Sequence, residues 1–251
     1  MTTQRPRVVV VMPAYNAART LERTYADIPH EVVDHVILVD DLSHDETVDV
    51  ARQLGLDVVI HRQNRGYGGN QKTCYDHALA AGADIVVMLH PDYQYDATRI
   101  PELIEPITVG RADMVLGSRF LGDPLAGGMP SWKFVANRFL TGLENLAFGL
   151  RLSEYHTGFR AYSRRLLETL PYHRNSDDFV FDQEVVAQVV ACGLTIAEIA
   201  VPTRYFEEAS SVGFRRSVVY GLSTLRVVGR FLLHRFRLRR SPKLSPRQTA
   251  S

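Results

Sequence analysis

Residues 7–41 read RVVVVMPAYNAARTLERTYADIPHEVVDHVILVDD, and this stretch decides the fold. The β-branched apolar run at residues 7–12 predicts a buried strand, and the second apolar run at residues 36–39 predicts another. Residues 17–27 between them are predicted to form a helix. A strand, a helix and a strand in this order predict a right-handed crossover between two parallel strands.

The same alternation continues along the chain. Further strands are predicted at residues 58–60, 85–89, 114–116 and 195–201, with a strand or hairpin at residues 155–162. Helices are predicted at residues 43–54, 71–81, 132–148, 182–191 and 217–236, the first of them opened by Ser43 and Glu46 at capping-box spacing. We therefore expect an α/β fold with a mostly parallel central sheet and helices on both faces. Ligands of such sheets bind at the carboxyl ends of the strands.

Composition excludes several classes of protein. Of the 251 residues, 45% are apolar and 23% are charged, which is typical of a globular chain with a hydrophobic core. The formal net charge of +1 excludes a globally basic nucleic-acid binder, so no nucleic-acid partner is expected. Cys74 and Cys192 lie far apart without a CxxC motif, which favours reduced thiols over a disulfide or a metal site. No stretch reaches about 18 apolar residues, so no membrane-spanning helix is expected and the cytoplasm is the predicted location.

The segment HPDYQYD, residues 90–96, follows a predicted strand and contains candidate metal ligands. If the extended backbone continues through it, the side chains of His90, Asp92 and Gln94 converge. They would form an incomplete shell for a divalent cation, which diphosphate oxygens and water would complete. Mn²⁺ tolerates a nitrogen ligand better than Mg²⁺ does. The alternative is a turn whose polar groups cap one another.

The segment RGYGGNQK, residues 65–72, is rich in glycine and precedes a predicted helix. Backbone N–H groups at such glycines can approach a phosphate, and basic side chains add positive charge. The glycines are Gly66, Gly68 and Gly69, flanked by Arg65 and Lys72. The alternative is a flexible connection. A Walker A loop is absent, and the first strand leads into PAYN rather than GxGxxG, which argues against a nicotinamide dehydrogenase.

Two acidic groups stand where a site is expected. Asp40 and Asp41 end the second predicted strand, so one carboxylate can accept from a ribose hydroxyl or a base N–H while the other caps a helix. Asp178, Asp182 and Glu184 lie at the start of another predicted helix, where the macrodipole alone favours carboxylates. The functional alternative is a general base for an acceptor hydroxyl.

Four arginines are candidate phosphate ligands, because a guanidinium binds phosphate in a bidentate manner. They are Arg119, Arg160, Arg215 and Arg216. For each of them a solvated surface ion pair is the alternative.

Together these segments resemble a known family. The motifs, in order, are VVMPAYNAARTL, VDDLSHDET, NRGYGGNQ, HPDYQYD, GSRF, HTGFRAYS and DDFVFDQE. This order resembles the inverting family 2 glycosyltransferases, in particular the dolichol- and polyprenyl-phosphate sugar synthases and their soluble bacterial relatives. The resemblance covers residues 7–214 and implies a GT-A fold, in which a Rossmann-like nucleotide-binding half joins an acceptor half.

The resemblance also implies roles for single residues. The PAYN and VDD segments would hold the nucleotide, with the RGYGG segment and Pro91–Asp92 close to it. The residues in this group are Pro13, Ala14, Tyr15, Asn16, Asp40 and Asp41. The family's DxD-like metal segment falls on His90, Asp92 and Gln94. Arg119, Thr157 and Arg160 fall on positions that hold phosphates in the polyprenyl-phosphate branch.

This chain departs from the family pattern at two positions. His90 stands where relatives usually carry a carboxylate, and Ala17 stands where many carry glutamate. These departures suggest a non-catalytic sugar-nucleotide binding protein as one alternative function. A sugar nucleotidyltransferase is the other, although such enzymes usually show GxGxR after the first strand, and this chain does not.

The expected organisation is one GT-A domain at residues 1–236 and a basic, flexible tail at residues 237–251. Within the domain we expect a nucleotide-binding half at 7–112, an acceptor half at 113–214 and an amphipathic helix at 215–236. The basic, apolar-faced helix and the tail would contact an anionic membrane, or the helix would pack on the core instead.

The expected activity is a hexosyltransferase that depends on Mn²⁺ or Mg²⁺. It would move a sugar from a UDP- or GDP-sugar, with inversion, to a polyprenyl phosphate or to a glycan or lipid hydroxyl. A hydroxyl acceptor needs a base, for which Asp182 or Asp178 is the candidate. A phosphate acceptor is already ionised, needs no base and depends more on the arginines.

Overall fold

The computed structural model describes residues 5–122, 124–125, 128–202 and 214–247, with the backbone alone for residues 214–216. A seven-stranded sheet forms the centre of the molecule. The strands are β1 (Val8–Ala14), β2 (His35–Asp40), β3 (Asp57–Ile60), β4 (Ile85–Met88), β5 (Met114–Ser118), β6 (Arg160–Ser163) and β7 (Ile196–Ala200). The helices are α1 (Ala18–Ala26), α2 (Thr47–Gln53), α3 (Gly66–Ala80), α4 (Ile100–Thr108), α5 (Ser131–Phe148), α6 (Arg164–Thr169), α7 (Phe181–Ala191) and α8 (Phe214–Arg235).

The strand order is β3-β2-β1-β4-β6-β5-β7, and every pairing is parallel except those that β6 makes with β4 and β5. The predicted α/β fold with a mostly parallel sheet is therefore confirmed. The carboxyl ends of β1, β2, β4 and β5 lie at one edge of the sheet because these strands run in the same direction. Loops that follow them are thereby brought together at that edge.

Both faces of the sheet are covered by helices. In β1, Val9 and Val11 pack on the side of α3, α5, α6, α7 and α8, whereas Val8 and Val10 pack on the side of α1, α2 and α4. A strand buried on both faces has no polar alternation, which is why it appears in the sequence as a continuous apolar run. Each buried valine stabilises the fold by roughly 1.5–3 kcal/mol relative to an exposed one.

The predicted capping box at Ser43 and Glu46 does not form. Helix α2 begins at Thr47, and its first turn is capped by Asp45, whose carboxylate accepts from Thr47 N at 3.1 Å. The Ser43 hydroxyl instead accepts from Asn16 N at 2.9 Å. The Asp45 carboxylate also accepts from Ala18 N at 3.1 Å. Ser43 and Asp45 therefore link the loop after β2 to residues 16–18, and such long-range contacts cannot be seen in local spacing.

The glycine-rich segment is helical. Helix α3 starts at Gly66, five residues before the predicted start, and Gly68 N donates to Asp177 O at 2.8 Å. A Cβ atom on Gly68 would lie 2.4 Å from Ser176 O, and one on Gly66 would lie 2.8 Å from Asp177 O. The glycines are therefore required because the loop before α7 packs directly on this helix.

The C-terminal segment differs from the expected flexible tail. Residues Pro242–Leu244 form a 3₁₀ turn in which Leu244 is buried. Lys243 Nζ lies 2.7 Å from Glu184 Oε1, and Gln188 Nε2 donates to Lys243 O at 2.8 Å. The segment therefore packs on α7. In the described parts of the chain, no helix is long and apolar enough to span a bilayer.

Candidate functional site

Two adjoining cavities lie at the carboxyl edge of the sheet. The first has a volume of about 1130 Å³ and is bordered by the loops after β1 and β2, the start of α3 and the loop before α7; we name it the large cleft. The second has a volume of about 280 Å³, lies between residues 156–158 and helices α5 and α8, and is named the small cavity. The residues that line both are Tyr67, His90, Asp92, Phe179 and Tyr220.

The PAYN segment lines the large cleft, with all four residues Pro13, Ala14, Tyr15 and Asn16 at its wall. Asn16 has a positive φ of 52°, and its side-chain oxygen accepts from His44 N at 2.8 Å. The Tyr15 ring is half exposed. This segment is held rigidly by the neighbouring loop while presenting an aromatic face to the cleft.

The two aspartates after β2 have different environments. Asp41 lines the large cleft, but its carboxylate accepts from Arg65 N at 2.7 Å and Gly66 N at 2.9 Å, so it binds the first turn of α3. It also lies 2.8 Å from His61 Nδ1. Asp40 is buried outside both cavities, and its carboxylate accepts from Ser43 N at 3.0 Å. The structure thus places one of the two predicted nucleotide ligands at the cleft.

The RGYGG segment is only partly exposed to the large cleft. Arg65 and Gly66 line it, whereas Gly68, Gly69 and Lys72 do not. Lys72 is buried, with Nζ 2.6 Å from both Asp177 Oδ1 and Asn175 O. The last three residues were predicted to approach a phosphate, but they face the loop before α7 and hold it against α3.

The HPDYQ segment turns instead of remaining extended. Tyr93 has φ 60°, and Gln94 N donates to Asp92 Oδ1 at 3.1 Å. His90, Asp92 and Gln94 nevertheless all line the small cavity. Burial lowers the pKa of His90 despite the nearby Asp92 carboxylate, so the imidazole is neutral at neutral pH. Its Nε2 atom lies 3.2 Å from Tyr67 Oη, and the two rings are stacked.

The donor chemistry at this edge suits a cation shared with a ligand. No group of three histidine, cysteine or acidic residues in the described parts of the chain is close enough to enclose a metal ion. The large cleft is lined by four aspartates, Asp41, Asp92, Asp177 and Asp178, and among its described lining residues Arg65 is the one arginine or lysine. The residues therefore fit a divalent cation held by Asp92 and by oxygens of the ligand.

Asp182 lies in the small cavity above a buried arginine. Its Oδ2 accepts from Tyr67 Oη at 2.8 Å, and its Oδ1 accepts from Gln71 Nε2 at 3.2 Å. Arg160 Nη1 lies 3.5 Å from Asp182 Oδ1. Both oxygens of the predicted general base are therefore already engaged. Asp178, the other predicted base, is exposed at the large cleft, and its carboxylate accepts from Phe179 N at 2.7 Å.

Arg160 lies beneath the site and lines neither cavity. Its guanidinium is 1% exposed and donates to the carbonyl oxygens of Thr157, Tyr155 and Asp182. Burial alone would lower its pKa, but the Asp182 carboxylate together with the neighbouring phenols of Tyr162, Tyr67 and Tyr75 outweighs burial and raises it. The phosphate contact predicted for Arg160 does not fit this position, because its donors are used inside the protein.

Arg119 lines the small cavity, as predicted for a phosphate ligand. It forms a bidentate ion pair with Glu154, and its Nη2 donates to His156 O at 2.9 Å. Burial would raise the pKa of Glu154, but the charge and hydrogen bonds of Arg119 outweigh burial and lower it. Thr157 is also at the cavity wall, with its hydroxyl donating to Gly117 O at 2.7 Å.

The roles predicted for Arg215 and Arg216 fall on side chains that lie outside the described residues. Their backbone belongs to the first turn of α8. Their contribution to phosphate binding stays a prediction.

Comparison with known proteins identifies the family. The family model for Glycosyl transferase family 2 matches residues 9–170, well over half of the chain. The chain belongs to glycosyl transferase family 2. The resemblance of the sequence motifs to this family is thus confirmed.

Two relatives illustrate the range of this family. The hexosyltransferase Agl6 of low-salt glycan biosynthesis in Haloferax volcanii is 31% identical over 77% of this chain and 46% of its own length. The UDP-N-acetylglucosamine–dolichyl-phosphate N-acetylglucosaminyltransferase of Methanococcus voltae is 26% identical over 82% of this chain and 89% of its own length. This family 2 chain therefore spans slightly less than half of the first relative and most of the second.

The GT-A fold is supported by solved structures of glucosyl-3-phosphoglycerate synthase from Mycobacterium tuberculosis. The complex with phosphoglyceric acid has a TM-score of 0.69 at 22% identity, covering 89% of this chain and 80% of that one. The complex with Mn²⁺, UDP and glucosyl-3-phosphoglycerate has a TM-score of 0.65 at 20% identity, covering 92% of this chain and 80% of that one.

The sequence motifs predicted no role in the site for several residues that line the small cavity of this family 2 chain. They are Tyr67, Trp132, Lys133, His156 and Tyr220. In α5, Lys133, Ala136 and Leu140 have the spacing of one helical face, a signal that was available once the helix was predicted. His156 adjoins Thr157 in a quoted motif, whereas the approach of Tyr220 from α8 depends on tertiary packing.

We expect Asp182→Asn to destabilise the fold strongly. Asparagine keeps the shape of the side chain but leaves the buried Arg160 charge without its carboxylate, a loss that typically costs about 3–5 kcal/mol. Urea unfolding should show the decrease in the free energy of unfolding. The control is Asp178→Asn, which is exposed, keeps its Oδ1 acceptor and should change stability by less than about 0.5 kcal/mol. Equal effects of the two substitutions would contradict a stabilising Arg160–Asp182 pair.

Proposed function

We propose that this family 2 glycosyltransferase moves a hexose from a nucleoside-diphosphate sugar to a phosphate group on a lipid acceptor, with inversion. The observation that carries the proposal is the junction of the two cavities, where the small cavity is lined by Lys133 and by Arg119, whose guanidinium is paired with Glu154. The large cleft would hold the donor and the small cavity the acceptor phosphate. The sugar would then pass between them near Tyr67, His90 and Asp92.

The large cleft has the size and the walls expected for a nucleotide. Residues 13–16 form part of its wall, and the Tyr15 ring provides an aromatic surface there. The name of the Methanococcus voltae relative specifies a UDP-sugar donor, and the mycobacterial synthase binds UDP with Mn²⁺. We propose a UDP- or GDP-sugar here, with Mn²⁺ or Mg²⁺ held by Asp92 and the nearby side chains of His90 and Gln94. When bound, the ion would neutralise the departing diphosphate.

The small cavity suits an anionic acceptor. Partial burial lowers the pKa of Lys133, and the nearby Arg119 charge lowers it further. Because Glu154 already pairs with Arg119, Lys133 is the main cation that an anionic acceptor would contact, and an anion beside it would offset the repulsion from Arg119. The Trp132 side chain and Leu140 add apolar surface beside the cations. This combination favours a phosphate carried on an apolar chain.

A phosphate acceptor also agrees with the state of Asp182. Its carboxylate already accepts hydrogen bonds from Tyr67 and Gln71 and pairs with Arg160. A general base must instead be free to accept a proton from the acceptor. An ionised phosphate oxygen needs no such base, and in-line attack on the anomeric carbon would invert its configuration. We therefore favour the phosphate acceptor over the hydroxyl acceptor.

The donor site can be tested by thermal shift with UDP, GDP, dTDP and CMP, each with and without Mn²⁺. A ligand at about 100 times its dissociation constant should add about 2.7 kcal/mol of stability, which raises the melting temperature measurably. We expect one diphosphate to stabilise the protein in the presence of Mn²⁺. Asp92→Asn should remove the part of the shift that depends on Mn²⁺. If no nucleotide shifts the melting temperature, the donor assignment of the large cleft is wrong.

The acceptor site can be tested with Lys133→Gln in a transfer assay to polyprenyl phosphate. Loss of a charged hydrogen bond of about 1.5–3 kcal/mol should raise the acceptor KM by roughly tenfold or more and leave the donor KM near that of the wild type. Arg52→Gln is the control, because Arg52 is exposed in α2, on the other face of the sheet from α5, and lines neither cavity. An equal change in both variants would argue against a phosphate at Lys133.

A lipid acceptor must reach the small cavity from a membrane. The protein surface around this cavity has the apolar and basic side chains that a membrane contact requires. Helices α5 and α8 pack on each other through Phe148 and Phe231. They expose large apolar side chains next to the cavity: Trp132, Val135, Phe139, Val219 and Leu222. The basic side chains of Arg138 and Arg226 are exposed on the same two helices. We propose that this face rests on an anionic membrane surface.

Flotation with lipid vesicles tests the membrane proposal. The protein should float at low salt with vesicles containing anionic phosphatidylglycerol, and less with neutral phosphatidylcholine vesicles. Phe139→Asp should reduce flotation, because it places a charge in the apolar contact. Val109→Asp is the control, since Val109 is exposed at the end of α4 on the other face of the sheet. Absence of flotation with the anionic vesicles would eliminate the proposal.

A further inference from the structure

A chain of polar contacts connects three helices beside the small cavity. It begins at Gln183 in α7, whose Nε2 donates to Tyr220 Oη in α8 at 2.6 Å. The same phenol oxygen lies 2.8 Å from Nδ1 of His156. On the other side of the ring, His156 Nε2 lies 3.1 Å from Oε2 of Glu144 in α5. We name these residues the Glu144 relay.

The donors and acceptors of the relay define its direction. Because the Gln183 amide donates to the phenol oxygen, the Tyr220 O–H is available to donate to His156 Nδ1. A neutral imidazole that accepts at Nδ1 carries its proton on Nε2, which faces the Glu144 carboxylate. Burial raises the pKa of Tyr220, so its hydroxyl stays protonated and remains a donor. The amide of Gln183 also contacts Tyr155 O at 3.3 Å and His156 Nδ1 at 3.0 Å. The contact between His156 Nε2 and Glu144 is at ion-pair distance without hydrogen-bond geometry.

Burial makes the relay costly to break. Glu144 is 1% exposed, Gln183 is fully buried, and the His156 side chain is 8% exposed. In the described part of the chain, His156 is the one basic side chain within ion-pair distance of the Glu144 carboxylate. A buried carboxylate without a polar partner is strongly unfavourable. The contact with His156 therefore ties the buried Glu144 of α5 to the wall of the small cavity.

The relay joins the two helices that enclose the small cavity. Helix α5 contributes Lys133 and Leu140 to its lining, and α8 contributes Ser217 and Tyr220. Tyr220 also lines the large cleft and so stands at the junction of the two cavities. Movement of α8 relative to α5 would change the width of the small cavity while leaving the PAYN wall of the large cleft in place.

We propose that Glu144 and His156 are positioning residues that hold Tyr220 at the junction and thereby set the affinity for the acceptor. Tyr220 is the residue that contacts the acceptor, and Glu144 acts on it through the His156 ring. The inference rests on the proposed function, because it takes the small cavity as the acceptor site. Glu144 itself lines neither cavity, so its effect on the acceptor would be indirect.

The test is a double-mutant cycle between Glu144 and Tyr220, measured as KM for polyprenyl phosphate. Glu144→Ala and Tyr220→Phe should each raise the acceptor KM by roughly tenfold, which corresponds to about 1.4 kcal/mol. The double variant should be no worse than the more severe single variant, because both break the same relay. Glu144→Gln should restore an acceptor KM close to that of the wild type, since it keeps the shape of the side chain and can place an amide oxygen where Oε2 lies 3.1 Å from His156 Nε2.

The matched control is Tyr172→Phe. Tyr172 is also buried, and its hydroxyl donates to Asp76 Oδ1 at 2.7 Å, but it lines neither cavity. This variant loses a similar hydrogen bond and should keep the wild-type KM for the acceptor. Additive effects in the cycle, a Glu144→Gln variant as impaired as Glu144→Ala, or an equal rise in the donor KM would overturn the proposal.

Hydrogen exchange separates failure of the relay from failure of the proposed function. Amide exchange in α8 should be faster in Glu144→Ala and Tyr220→Phe than in the wild type, and unchanged in Tyr172→Phe. If the wild type shows no sugar transfer, the proposed function is wrong, and so is the role of the relay in acceptor binding. Faster amide exchange in α8 of the relay variants would still show that the relay holds α8 in place. If exchange in α8 is unchanged in the relay variants, the relay is overturned regardless of activity.

Discussion

The buried guanidinium of Arg160 is the interaction on which the rest of the site depends. It extends from β6, the strand that runs against the others in the sheet, and donates to the carbonyl groups of Tyr155, Thr157 and Asp182. It therefore holds the wall of the small cavity and the first turn of α7 at once. Because Asp182 pairs with it and also accepts from Tyr67, the position of α3 is linked to the same charge. A buried cation of this kind must keep its partners, which makes this part of the site rigid.

The contact between α3 and the loop before α7 is the second constraint. Gly68 has no side chain because Ser176 O occupies the space, and Lys72 ties the loop to the helix through Asp177 and Asn175. Residues 176–180 consequently form one wall of the large cleft. The glycines allow the loop to pack closely on α3, and the loop contributes two of the aspartates that make the cleft acidic. The proposed diphosphate donor would need a divalent cation to bind in an acidic cleft.

The two cavities share residues but differ in charge. The large cleft is lined by four aspartates and one arginine, whereas in the small cavity Arg119 and Lys133 balance Asp92 and Asp182 beside apolar side chains of α5. Such a separation suits a donor that carries its own cation and an acceptor that carries a free negative charge. The Glu144 relay links both helices of the small cavity to Tyr220 at the junction. Acceptor binding and the position of α8 would therefore be coupled through buried contacts.

By itself the sequence determined the mostly parallel α/β sheet, the family, and the positions at which loops after β1, β2 and β4 would meet. Long apolar runs and strand–helix order carry that information because burial on both faces leaves no polar residues in a strand. The roles of single side chains were decided by tertiary structure. Local spacing cannot show that Arg160 is buried, that Lys72 faces a loop more than 100 residues away, or that Asp41 binds the start of α3. A charged residue has the same local pattern whether it binds a ligand or stabilises the fold, and only the packed neighbours distinguish the two.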